Sequence, residues 1–395
     1  VRVKRYDLIV AGGGISGLSL AHYASKAGLA TLLLEKAPEV GGCLKTMRKV
    51  GGFWLELGAH TCYNSYGRLV GIIEDCGISE KLQSREKAPF MMFVDGKVKS
   101  IPSELDFLEL FCSAPHIFGI SKSGLTVASY YSKIVGKRNF ERVIGPALSA
   151  VPSQRADDFP AEMLFKKRKR RKDVMKKFTL EGGLQTLAEA VVSGKGLEAV
   201  TGAEVDSIKE ENSLFKVSVR GVGEFSADSL GIAVPPPVAS RLLKDILPMV
   251  SERLSDIKVA GVESLGAVVR KETVGLPPFA GLIPIKDLFF SVVSRDIVAD
   301  EYYRGFTFHF RPGLDLEKKR RRMAEVLGTD KFEAVSDNSA VLPSPLLGHE
   351  KIVSEIDRLI KGKRIFVTGN YFAGLAIEDC IVRSSEEFNR LMAKS

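Results

Sequence analysis

Residues 6–46 read YDLIVAGGGISGLSLAHYASKAGLATLLLEKAPEVGGCLKT, and their order decides the fold. Residues 6–10 are a short apolar run of strand formers. They break into Gly12-Gly13-Gly14-Ile15-Ser16-Gly17, after which a helical pattern runs from Leu18 to about Ala27. A second apolar run, residues 30–34, ends at Glu35 and Lys36. Strand, glycine turn, helix and strand in that order put G-x-G-x-x-G in the context of a dinucleotide site. Gly12 permits the tight turn, Gly14 lets backbone approach a pyrophosphate, and Gly17 lets the helix pack closely on the strand. The helix N-terminus offers free N–H groups and partial positive charge to phosphates. Glu35 stands where ribose hydroxyls would be bound.

Size and composition bound the rest. A chain of 395 residues, 45% of them hydrophobic, buries a large core and is expected to form two domains. No apolar run reaches the roughly 18 residues of a spanning helix. With no signal segment visible and five dispersed cysteines lacking CxxC spacing, a cytoplasmic location with reduced thiols is expected. The five histidines show no ligand spacing, so no metal is expected. The net charge is +9, and Lys166-Lys167-Arg168-Lys169-Arg170-Arg171-Lys172 carries much of the excess. That run reads equally as a solvated face or as a surface for an anionic substrate or an acidic membrane. Nucleic acid is not expected, since no binding motif or aromatic interleaving accompanies it.

Beyond the first unit, Gly41-Gly42 and Thr46 resemble the glycine-pair extension, GGRxxT, of the FAD-binding amine-oxidase-like superfamily. Cys43 replaces the basic residue that usually follows the pair, removing one expected cofactor contact. The segment Gly52-Phe53-Trp54-Leu55-Glu56-Leu57-Gly58-Ala59-His60 resembles the family's GFxxExGPH stretch beside the flavin ring. His60 invites a catalytic role; placement by the fold near the cofactor is the preferred alternative. Gly182-Gly183 resembles another family segment, and the residue matching Val205 there meets the adenine.

Residues 90–98, FMMFVDGKV, form a hairpin about Asp95-Gly96. From Phe107 to about Leu148 several helical stretches carry exposed-looking apolar residues. They read either as a membrane-touching insertion or as an ordinary buried lobe. Residues 242–254 read as one helix, and several strands between 259 and 310 as an antiparallel sheet.

Near the C-terminus, residues 364–370 form a strand ending in Gly369-Asn370. The turn at residues 377–379 then opens a last helix, whose N-terminus would stabilise negative charge on a reduced ring. LPxxxxGH followed by GNxxxGxxxxDCI resembles the protoporphyrinogen oxidase family, over nearly the full chain. The resemblance implies an α/β fold: a Rossmann-like FAD-binding domain of glutathione-reductase type, with an antiparallel-sheet substrate domain and a helical insertion. Residues 1–85, 178–258 and 345–395 would form the first, 86–100 and 259–344 the second, and 101–177 the insertion. The implied FAD site comprises Gly12, Gly14, Ile15, Ser16, Gly17, Glu35, Lys36, Gly41, Gly42, Gly58, Ala59, His60, Val205, Gly369, Asn370, Gly374, Ile377 and Asp379.

The implied reaction passes hydride from a porphyrinogen to the flavin, with oxygen or a quinone as final electron acceptor. The substrate is an anionic tetrapyrrole, held in a flat slot for which Phe90, Met92 and Phe289 are candidates. Phe90 stands where some members carry a propionate-anchoring arginine, so Arg68 or the basic run would have to serve. Peripheral contact with the inner face of a membrane is a further expectation. The rival readings are an amine oxidase or carotenoid-type desaturase, and a nucleotide-binding protein without turnover that docks through its basic run.

Overall fold

The computed structural model describes residues 4–49 and 51–393. Its first sheet is built on the parallel pair Arg5–Ala11 and Thr31–Leu34, joined by the helix Ile15–Lys26. Strand Leu197–Val200, for which the sequence carries little signal, extends this sheet at one edge. On the other side lies Gly223–Ile232, a single ten-residue strand with two jobs. Its first half closes a hairpin with Leu214–Val219; its second runs parallel to the first strand and to Ile365–Val367.

Alternation along the first strand feeds two cores. Leu8 and Val10 pack with the first and last helices, while Ile9 and Ala11 face the helices Pro236–Leu243, Pro248–Ser255 and His349–Ile360. The single helix expected over 242–254 is thus two. Pro248 cannot donate a backbone hydrogen bond and disfavours helical geometry at Leu247, which sits at φ −141°.

The second sheet has seven strands. Its pairs are antiparallel except one: Gly281–Pro284 runs parallel to Phe90–Val94, which arrives from a distant part of the chain. One face carries Phe289, Phe306, Phe308 and Phe310 against Met323, Val326 and Leu327 of the helix Leu316–Leu327. The opposite face meets the first domain's ribbon, Thr46–Arg48 with Trp54–Glu56. There the sheet uses glycine because backbone must come close. A Cβ on Gly266 would lie 2.4 Å from Leu57, and one on Gly305 would lie 3.0 Å from Leu55. Thr307 Oγ1 locks the junction by donating to the Glu56 carbonyl at 2.6 Å.

The helical lobe closes around Val127, Phe140, Leu148 and Phe159. Asn139, almost fully buried, ties it together by bonding both backbone groups of Asp106 and the Val135 carbonyl. The lobe also leaves large apolar side chains in solvent: Phe107, Leu108, Phe111, Ile117 and Phe118. Among the described residues, no helix is long and apolar enough to cross a membrane.

Candidate functional site: a dinucleotide groove beside a cationic junction

The three motif glycines divide by what surrounds them. A Cβ on Gly12 would meet the Ala233 carbonyl oxygen at 2.4 Å, and one on Gly17 would meet the Gly12 oxygen at 1.9 Å. A Cβ on Gly14 would meet nothing within 4 Å. Gly12 and Gly17 therefore serve the packing of strand, turn and helix, whereas Gly14 faces open space at a helix N-terminus that no side chain caps. An uncapped helix start beside an open backbone surface suits a phosphate.

The glycine pair crosses this turn. Gly41 bridges to Gly14 and donates its N–H to the Gly13 carbonyl at 2.8 Å, at φ +120° where other residues would be strained. Glu35 ends the second strand with one carboxylate oxygen accepting from Gly13 N–H at 2.6 Å and the other from Ala37 N–H at 2.8 Å. Backbone bonds from Glu35 and Ala37 to residues 200–203 carry the chain on to Val205 at the same end of the groove.

The other end is made by two later segments. Ala59 donates to the Cys43 carbonyl at 2.7 Å, which sets Gly58, Ala59 and His60 against the glycine pair. The last helix, Ile377–Met392, packs along the first, and Ser384 Oγ donates to the Ser16 carbonyl at 2.8 Å. Gly369 and Asn370 lead from the strand Ile365–Val367 toward that helix. The Glu378 carboxylate accepts from the N–H groups of Arg68 and Leu69, fixing the start of the helix Gly67–Asp75. Asp379 is held by Arg168 at 2.7 Å, and Lys166 reaches the Ala373 carbonyl beside Gly374. The basic run is thus partly structural: Arg168 and Arg171 are pinned, Arg171 by both oxygens of Glu74, while Lys167, Lys169, Arg170 and Lys172 stay exposed.

The residues expected to line a substrate slot are not brought together. Phe90 is 52% exposed beside Gly281. Met92 is fully buried with Val143 and Ile283 against the helical lobe. Phe289 lies in the core beneath the helix Leu316–Leu327. Arg68 is exposed on its own helix, its side chain close to Tyr23. Period-two alternation separates Met92 from the Phe93–Phe289 core, a separation that composition does not reveal.

What the structure gathers instead is a polar cluster at the domain junction. Glu56 is buried; Oε1 takes the Leu184 N–H at 2.7 Å and Oε2 lies 2.7 Å from Thr46 Oγ1. Loss of solvent raises its carboxyl to about 8, against the smaller opposing pull of those hydrogen bonds and of Arg48 and Arg295. His60, with Nδ1 3.2 Å from the Gly58 carbonyl oxygen, is depressed to about 4 by desolvation and by Arg85. His309, bonded through Nδ1 to Ser264 Oγ at 2.8 Å, is pushed down to about 3 by burial and by His60. At neutral pH the carboxyl and both imidazoles are therefore uncharged, and the guanidinium groups of Arg85 and Arg295 remain. Glu56 and His60 stood in the quoted GFWLELGAH stretch; nothing in the sequence singled out Arg85, Arg295 or His309.

A family model described as an NAD(P)-binding Rossmann-like domain matches residues 10–75. A protein of Exiguobacterium sp. 255-15, provisionally assigned as a protoporphyrinogen oxidase, superposes with a TM-score of 0.81 over 99% of both chains at 20% identity. A putrescine oxidase variant superposes with a TM-score of 0.72 over 99% of both chains at 16% identity. The chain has the amine-oxidase flavoprotein fold. By sequence, a 15-cis-phytoene desaturase of Glycine max is 31% identical over 111 residues, 28% of this chain. That match spans only 19% of the desaturase's length. Within the amine-oxidase flavoprotein fold, the open face of Gly14, the crossing glycine pair and the uncapped start of the first helix fit a dinucleotide phosphate.

Proposed function

We propose that the protein is an FAD-dependent oxidoreductase that converts a porphyrinogen, protoporphyrinogen IX or coproporphyrinogen III, to the porphyrin. Gly14, the N–H groups that begin the first helix and the Gly41-Gly42 crossing would hold the pyrophosphate, with Glu35 at a ribose. Gly58, Ala59, His60 and the start of the last helix would hold the ring end. When bound, the flavin supplies the two-electron acceptor for hydride. The chain's own part is to place and enclose the substrate. Gly266, Gly305 and Thr307 seat the second sheet on the first domain's ribbon and set the spacing of the junction. His60 and His309, both neutral there, add no charge to it.

One observation carries the choice among flavoenzyme substrates: the junction holds two guanidinium groups and uncharged Glu56, His60 and His309. Such a field repels an ammonium substrate and attracts carboxylates. The test is to incubate purified protein with each porphyrinogen, with and without oxygen, and follow porphyrin fluorescence. Fluorescence should rise several-fold above autoxidation, and a requirement for oxygen or for an added quinone identifies the acceptor. Flavin-loaded protein that leaves both porphyrinogens unchanged while oxidising an amine or a polyene would defeat the proposal.

We also propose that the substrate arrives from a membrane surface. In support, the lobe exposes Phe111 at 79% and Phe118 at 94%, neighbours in sequence to Phe107, Leu108 and Ile117. Vesicles containing acidic lipid should sediment the protein, and the double variant Phe111→Ser, Phe118→Ser should lower the bound fraction about tenfold. Equal sedimentation of the two proteins would refute the membrane reading.

A further inference from the structure

Three arginines among the described residues are at least nine-tenths buried, and they are not alike. Arg304 is paired with Asp296 and also donates to the carbonyls of Leu276 and Pro277. Arg383 is paired with Asp357 and Glu387. Arg295, only 8% exposed, has no carboxylate of the described residues within ion-pair distance. Its one side-chain hydrogen bond runs from Nη1 to the Val298 carbonyl at 2.9 Å, and its Nε is buried with no acceptor. The rings of Phe53 and Trp54 lie 4.5 and 4.6 Å from its guanidinium carbon; they favour a cation there but accept few of its N–H groups.

Arg295 faces a cavity of about 10 Å³, room for one water-sized group, whose wall includes Glu56, His60, Val293 and Ser294. Arg85 stands close by. Glu86 N–H donates to the Ile297 carbonyl at 2.8 Å, joining the two segments, and Arg85 touches Thr61 Oγ1 while its own Nε is buried and unpaired. Ser291, at 5% exposure on the strand that leads directly into Arg295, has a hydroxyl without a partner among the described residues. Burying a charge without a counter-ion is costly, and a buried guanidinium normally finds a carboxylate or a set of carbonyls.

We propose that Arg295, with Arg85 beside it, anchors a carboxylate of the bound substrate. This deepens the porphyrinogen reading and rests on it for the identity of the carboxylate's carrier. The cavity has room for one water-sized group, so it would take a single carboxylate oxygen at the tip of an acidic arm, with the tetrapyrrole body outside. Planar guanidinium N–H groups suit a carboxylate better than a lysine point charge would. The uncharged state of Glu56 at neutral pH leaves the position of the counter-ion open.

The test uses flavin-loaded protein and two probes of one shape: coproporphyrin III and its tetramethyl ester, titrated by fluorescence. Wild type should bind the acid at least tenfold more tightly than the ester. In Arg295→Met the ratio should fall to within about twofold of unity, with ester affinity unchanged, and Arg295→Lys should restore it in part. A second arm measures melting temperature with propionate and with propionamide. If acid and ester bind wild type equally, or if Arg295→Met keeps the wild-type ratio, the anchor proposal fails and the porphyrinogen reading survives. If neither porphyrin binds but propionate alone stabilises wild type and not Arg295→Met, the porphyrinogen reading fails and the carboxylate site stands. If neither porphyrin binds and propionate shifts nothing, both fail. Should Arg295→Met not fold, the wild-type acid-to-ester ratio and Arg295→Lys decide.

Discussion

Gly17→Ala is expected to purify, if at all, without the flavin absorbance near about 450 nm, and to melt well below wild type. The added methyl would sit 1.9 Å from the Gly12 carbonyl oxygen and 3.1 Å from the Ala233 Cβ, with backbone rather than a movable side chain in the way. Overpacking of this kind costs on the order of 1–3 kcal/mol or more, here at the turn that holds the first strand to the first helix. Gly14→Ala is the informative partner. Its methyl meets nothing within 4 Å, and its φ of −74° is ordinary for alanine. Its melting temperature without cofactor should match wild type, while flavin content after purification drops at least tenfold. Full flavin occupancy in Gly14→Ala would show that no dinucleotide lies along that turn.

The second large effect is a pH dependence set by Glu56. Its carboxyl is raised from 4.5 to about 8, mainly by burial. Between those values the folded protein keeps a proton that the unfolded chain has released. The associated stability is complete below about pH 4.5, declines as the pH rises, and is spent above about 8. A shift of this size corresponds to about 4–5 kcal/mol. Glu56→Gln keeps the shape and an oxygen that can accept from the Leu184 N–H but cannot ionise. Melting temperatures of wild type and variant should converge near pH 5 and separate by several degrees at pH 9, with the variant higher. Parallel curves across that range would mean that Glu56 is ionised in the folded state at neutral pH.

Much of the first strand–turn–helix–strand unit is readable because its parts are local. A glycine required by a close approach, a strand of four or five apolar residues and an acid at its end are each set by a few neighbours in sequence. The structure shows the same strand–turn–helix–strand, with the first helix beginning at Ile15 rather than Leu18. Elements stabilised by distant partners were harder to read. Strand Ala334–Pro343, AVSDNSAVLP, carries a polar stretch, SDNS, through its middle, and only Pro343 is buried. It forms because Val259–Arg270 offers it a ladder of ten residue pairs at the sheet edge. The helix expected over 242–254 is instead two, because Pro248, a local cue, disfavours helical geometry at Leu247.

Taken alone, then, the chain determines a strand–glycine turn–helix–strand of the dinucleotide-binding kind and the presence of a second, strand-rich unit. Tertiary structure alone decides that Phe90, Met92 and Phe289 lie in separate environments, and that Arg85, Arg295, Glu56 and His60 share one. The physical reason is that charge and burial are properties of a place. Whether an arginine finds a counter-ion, or a carboxyl keeps its proton, depends on which distant segments exclude water from it. Here those segments meet only where the second sheet settles on the first domain.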